Sequence, residues 1–225
     1  MAEPIRSAQL KGVPHAFLDA GQSDARQFDL VAHRIGPVFA RQVHSADVLA
    51  VATPFAGDPS EVDALVTATP GLALGIVTAD CAPVLLADLE AGVIGAAHAG
   101  WRGAHGGVIA ATVEAMTALG ASPLRITAAI GPCVAQASYE VDEPFRSRFT
   151  GAAEDRFFSS GRPGHWQFDL EGFVADQLAQ AGVGRVDPLA LDTYSAPARF
   201  HSYRRATHLG ESTLGRQFSL IALPE

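Results

Sequence analysis

The sequence predicts an α+β fold, a layered sandwich with mixed sheets built as one domain over residues 1–225. Three observations carry that expectation. Residues 72–103 hold three short apolar runs (72–77, 83–86 and 93–97), bounded by Gly, Pro and Asp in the manner of buried strands. Helical periodicity comes in single stretches, without the regular alternation of a doubly wound fold. Hydrophobic residues make up 48% of the chain and charged residues 18%, enough apolar surface for a substantial core.

Taken in order, residues 13–18 read as a first strand, and Ser23 as the cap of a helix over 24–34 that Gly36 and Pro37 stop. Strands follow at 38–43 and 48–52, with His44, Ser45, Ala46 and Asp47 between them. Residues 53–61 form a loop rich in Pro, Gly and Asp, and 62–67 a strand leading into the central stretch. Val108, Val113, Met116 and Leu119 recur at helical spacing, and Gly120 closes that helix. A strand is expected at 124–130, a short helix at 142–150 and a polar, Gly-rich loop at 152–164. Asp169 caps a helix over 170–181 with Phe173, Val174, Leu178 and Ala181 on its apolar side. Residues 199–215 are basic and polar, and 216–223 read as the last strand.

Net charge is −8, and the 16 Lys and Arg residues form no stripe, which argues against nucleic-acid binding. The first residues lack a basic segment followed by an apolar one, and no run approaches membrane-spanning length. Two cysteines do not make a disulfide framework. A cytoplasmic protein with reduced cysteines and no membrane association is the expectation.

Cys81 and His98 follow the first and third apolar runs, so they can converge; His44, at a strand end, can supply a third group. One thiolate and two imidazoles suit zinc, or copper, and three protein ligands leave a position open as catalytic zinc requires. Other readings stand beside this one. Cys81 also reads as a core residue or as a nucleophile with His98 as its base, and His44 as a loop histidine. Asp80 is expected either to orient an imidazole or to cap a strand end. The turn from Gly100 to Gly103 favours an anion, with Arg102 adding a guanidinium fork. Arg204 and Arg205, beside His201 and His208, either bind substrate anions or pair with Glu140, Glu143 or Glu211, the structural role being favoured. Cys133 reads as packing. No GxGxxG, Walker, GxSxG or HExxH motif occurs.

Taken together, QVHSADV, TADCAPVLLAD, AAHAGWRG, AIGPC, YEV, FDL, SYRR and GRQ resemble one family from about residue 38 onward. It is the laccase-domain family, also called multicopper polyphenol oxidoreductase or YfiH-type purine nucleoside phosphorylase. The resemblance implies an α/β/β/α sandwich, similar to the toxin deamidases that use a Cys–His pair. It implies a zinc site at His44, Cys81 and His98, copper being possible. The implied activity is phosphorolysis of adenosine, inosine, guanosine and methylthioadenosine, with adenosine deamination, so that a purine nucleoside and phosphate are the expected partners. Copper-dependent phenol oxidation and editing of a peptidoglycan precursor are alternatives attached to the same family. Leu18 and Asp19 stand near where members carry a Thr–Arg pair, and Asp192–Thr193 where they carry Cys–Thr, which keeps open a catalytically lapsed metal-binding protein.

Overall fold

Alternation of side chains decides the architecture. The computed structural model describes residues 3–22, 28, 31 and 36–224. Its largest sheet runs in the order β12 (Arg185–Pro188), β8 (Thr127–Ile130), β6 (Ala82–Asp88), β7 (Val93–Ala99), β4 (Ala64–Thr67) and β3 (Val48–Ala50). The β6–β7, β4–β7 and β6–β8 pairs are antiparallel, whereas β3–β4 and β12–β8 are parallel. Along β6, Val84 and Leu86 face one core while Leu85 and Ala87 face another. A sheet buried on both faces needs continuous apolar runs, and that is why 83–86 and 93–97 show no polar alternation.

One face of this sheet meets a second, four-stranded sheet of order β1 (His15–Phe17), β13 (Gln217–Ala222), β5 (Ala73–Thr78) and β2 (Val38–Phe39). Leu65, Leu85 and Ile94 pack there against Leu74, Ile76 and Ile221. The other face is covered by helices. With α1 (Trp101–His105), α2 (Val108–Ala118), α3 (Glu143–Arg146), α4 (Leu170–Gln180) and α5 (Tyr203–Leu209) as the helices, Ile109, Val113 and Met116 of α2 and Phe173, Val174 and Leu178 of α4 supply that layer. Gly107, at φ 95°, takes the left-handed turn that separates α1 from α2. Asp169 caps α4 by accepting the Gly172 N–H at 2.9 Å.

The outer face of the four-stranded sheet, with Leu18, Ala73 and Leu220, carries Phe28 and Val31. The helix expected over 24–34 otherwise lies outside the described residues. The α+β class with mixed sheets holds. No helix among the described residues is long and apolar enough to cross a membrane.

The three central runs divide between the sheets: β5 belongs to the four-stranded sheet, β6 and β7 to the six-stranded one. Several local expectations are corrected. The expected loop at 152–164 contains a 3-10 turn, Ala152–Phe157, and β10 (Phe158–Ser160), which pairs with β11 (His165–Phe168). Phe157 and Phe158 draw it into an aromatic cluster with Phe149, Phe168 and Phe173. β11 also pairs with β9 (Glu140–Asp142), a strand that, like β12, lacks an apolar run. At 124–130 a 3-10 turn leaves Leu124 80% exposed before β8 begins.

Phe17 lies against Gly131, so that a Cβ at Gly131 would run into its ring. The two sheets are locked together there. Gly131→Ala should therefore destabilise the protein by about 1–3 kcal/mol, lowering Tm by roughly 2–10 °C in calorimetry. An unchanged Tm would mean that the ring moves aside freely.

Candidate metal centre

Cys81 lies in the crossover between the two sheets, immediately before β6. His98 is on β7, directly opposite Pro83 of β6, so strand pairing sets it beside Cys81. His44 comes from the loop after β2. One donor atom from each of the three residues lies within 4.8 Å of the others, a group able to hold a metal ion. The histidine rings are 4.8 Å apart, centroid to centroid. Gly100 makes room for them: a Cβ there would sit 2.8 Å from His44 Nδ1 and 2.9 Å from Cys81 Sγ.

Asp63 holds the ring of His98 and the main chain of the loop that carries His44. Its carboxylate, fully buried at the start of β4, accepts the N–H groups of Val43 at 3.1 Å, His44 at 3.0 Å and Ser45 at 2.6 Å. Three successive N–H groups converge on one anion because His44 adopts the left-handed conformation, φ 61°. The same carboxylate bonds His98 Nδ1 at 2.7 Å, which leaves Nε2 for the cluster.

Charge follows from this geometry. Burial opposes ionisation of Asp63, but the bonds from His98, Ser45 and Val43 outweigh it and hold the carboxyl at about 2. Burial likewise disfavours charged His98, yet Asp63 and Cys81 raise it to about 9. Burial would push the Cys81 thiol up; the hydrogen bonds to His44 and His98 bring it down to about 7. In the metal-free protein this geometry favours a thiolate next to an imidazolium over the neutral pair.

The cluster opens into a cavity of about 700 Å³ lined also by Gln42, Thr78, Trp101, Arg102, Tyr139, Tyr203, Arg204 and Arg216. Gln42 pairs with both main-chain groups of Val77, at 2.7 and 2.8 Å, extending β5 as a strand would. Burial pushes the Tyr139 phenol well up, so it stays a donor.

Other expected residues take different places. Asp80 does not orient an imidazole: its carboxylate accepts Thr193 Oγ1 at 2.6 Å, Ser202 Oγ at 2.9 Å and Arg204 N at 2.7 Å, anchoring the Cys81 loop to α5. Arg205 is structural, donating to the carbonyls of Thr193, Tyr194 and Phe200. Arg204 faces the cavity and donates to the Glu140 carbonyl rather than to a carboxylate. His208 bonds Tyr194. Cys133 is buried in the core. Leu18 packs on the outer face of the four-stranded sheet, and Asp192 accepts Ser138 Oγ at 2.7 Å. Asp63 was not anticipated; its only signal was an acid opening an otherwise apolar run, VDALV.

Asp63→Asn should lower the His98 pKa from about 9 toward its ordinary value, read by imidazole NMR of the metal-free protein. Stabilisation through His98 is complete below 6.5 and is lost as pH rises through about 9. Stabilisation through Asp63 is complete above 3.8 and is lost as pH falls through about 2. The variant should therefore lose most stability, relative to the native chain, between pH 3.8 and 6.5. A uniform loss from acid to pH 10 would contradict the pairing.

Residues 20–224 match the family described as multi-copper polyphenol oxidoreductase laccase. Among curated relatives, the purine nucleoside phosphorylase of Deinococcus radiodurans is 46% identical over 83% of this chain and 70% of its own. The purine nucleoside phosphorylase ORF3 of Streptomyces griseus is 46% identical over 75% and 68%. The crystal structure of a Neisseria meningitidis DUF152 protein superposes with a TM-score of 0.76 at 33% identity, covering 84% of this chain and 76% of that one. That of Bacillus licheniformis YfiH gives a TM-score of 0.74 at 30% identity, covering 83% and 73%. In sequence and in fold, the chain belongs to the multi-copper polyphenol oxidoreductase laccase family.

Proposed function

We propose that this protein is a zinc-dependent purine nucleoside phosphorylase that also deaminates adenosine, with His44, Cys81 and His98 holding the metal. The observation that carries this reading is the Cys–His–His cluster at a cavity whose charged lining, apart from Asp80, is Arg102, Arg204 and Arg216. The names of the relatives support the substrate class, a purine nucleoside with phosphate as co-substrate; adenosine, inosine, guanosine and methylthioadenosine are the nucleosides we propose within it.

The residues fit zinc. One sulfur and two nitrogens are a zinc donor set with a position left open, and Gly100 and Asp63 keep them in register. Zinc, when bound, supplies a Lewis acid beside the substrate. The chain supplies the rest. In phosphorolysis a phosphate oxygen bonds to C1′ as the bond from C1′ to the purine nitrogen breaks and the base leaves with a proton. The arginines offset the charge of phosphate near a thiolate, Tyr139 donates a hydrogen bond, and the 54%-exposed Tyr203 offers a face for a purine. Laccase chemistry needs several coppers, whereas one three-donor group is assembled among the described residues.

A second reading rests on the Cys81 thiol at about 7: a cysteine hydrolase with His98 as base. It requires covalent labelling of Cys81 by an electrophile and turnover that survives chelation.

Mass spectrometry of the purified chain should find one zinc, and adenosine should release adenine only when phosphate is present. Cys81→Ala should abolish zinc and cut base release more than ~100-fold, beyond the loss typical of an outer ligand partner, while Cys133→Ala keeps both. Stoichiometric zinc in Cys81→Ala would sink the ligand assignment.

A further inference from the structure

We propose that Thr78 and Arg204 form an oxyanion subsite in this cavity, the seat of the phosphate in phosphorolysis; the identity of that anion rests on the reading above. Thr78, the last residue of β5, is 2% exposed and lines the cavity, yet its Oγ1 is buried with no hydrogen-bond partner among the described residues. Arg204 Nε is in the same condition. Buried polar groups are rarely left unpaired, because desolvation is then uncompensated.

Neighbouring groups are already committed. The Asp80 carboxylate, two residues from Thr78, is taken by Thr193, Ser202 and the main chain of Arg204. Gln217, opposite Thr78 in the sheet, spends its amide on the main chain of His201, at 2.9 and 3.1 Å. Arg204 is itself held in place by the Glu140 carbonyl and by the Tyr139 ring, 5.2 Å from its guanidinium carbon. The network thus positions both groups without using Thr78 Oγ1 or Arg204 Nε.

The missing partner of Arg204 Nε–H must be an acceptor, and an oxyanion presents several acceptor oxygens to a cavity that both residues line. An anion is favoured. In a chain of net charge −8, this cavity is lined by Arg102, Arg204 and Arg216, and its one carboxylate is hydrogen-bonded. Guanidinium with hydroxyl is a common pairing for phosphate oxygens.

The test is calorimetric titration of the purified protein with inorganic phosphate, with zinc content measured on each sample. Thr78→Val should weaken phosphate binding about tenfold, Thr78→Ser should bind within about twofold of the native chain, and the KM for nucleoside should not move. Arg204→Lys keeps the charge but removes Nε; it should show a similar loss and serves if Thr78→Val does not fold. Equal phosphate affinity in Thr78→Val and the native chain would overturn the subsite, its hydroxyl then meeting only water or a ribose hydroxyl. So would the lack of saturable phosphate binding to the native chain. Phosphate binding sensitive to Thr78 without phosphate-dependent base release keeps the subsite and removes the nucleoside reading instead.

Discussion

The carboxylate of Asp63 receives the N–H groups of Val43, His44 and Ser45 together with the ring nitrogen of His98, two donors on each oxygen. That uses the acceptor capacity of a carboxylate in full. A buried charge is tolerable only when so thoroughly paired, and removing any partner exposes the cost of the rest. The loop carrying His44 and the strand carrying His98 are therefore not placed independently. One anion sets the strained backbone of the first and the tautomer of the second.

The Cys81 segment depends on a second carboxylate in a parallel way. Asp80, also left-handed at φ 86°, binds Thr193, Ser202 and the main chain of α5. The two acids divide the work: Asp63 aligns the nitrogen donors, and Asp80 ties the sulfur donor to the C-terminal third of the chain. Both sit at strand ends of the apolar framework, where a polar network can be rigid and still border a cavity.

Much of this was legible in the sequence. Apolar runs and Gly, Pro and Asp boundaries located the strands that are buried on both faces, and Asp169 marked α4. The His44, Cys81 and His98 convergence could be read from strand-end positions and from family motifs. What escaped were features without a local period. β9 and β12 are short strands with little apolar signal, and their existence depends on partners far along the chain. The role of Asp63 was hidden because its partners lie 18 to 20 residues before it and 35 after it. For Asp80 the sequence leaves two roles open, because adjacency to Cys81 suggests an imidazole acceptor, whereas the strand register delivers a different acid to His98.

The position of Cys81 in the crossover between the sheets has a consequence for how the cluster comes into being. Its thiol leaves one sheet as His98 ends a strand of the other, so no fragment containing a single sheet assembles the donors. The three donors meet only when the inter-sheet core of Leu65, Leu85, Ile94, Leu74 and Ile221 has closed. Any ion held by all three would bind the closed form alone and stabilise it by mass action. Such a cluster acts as a clasp on the finished sandwich, and its loading reports whether the two halves of the molecule have come together.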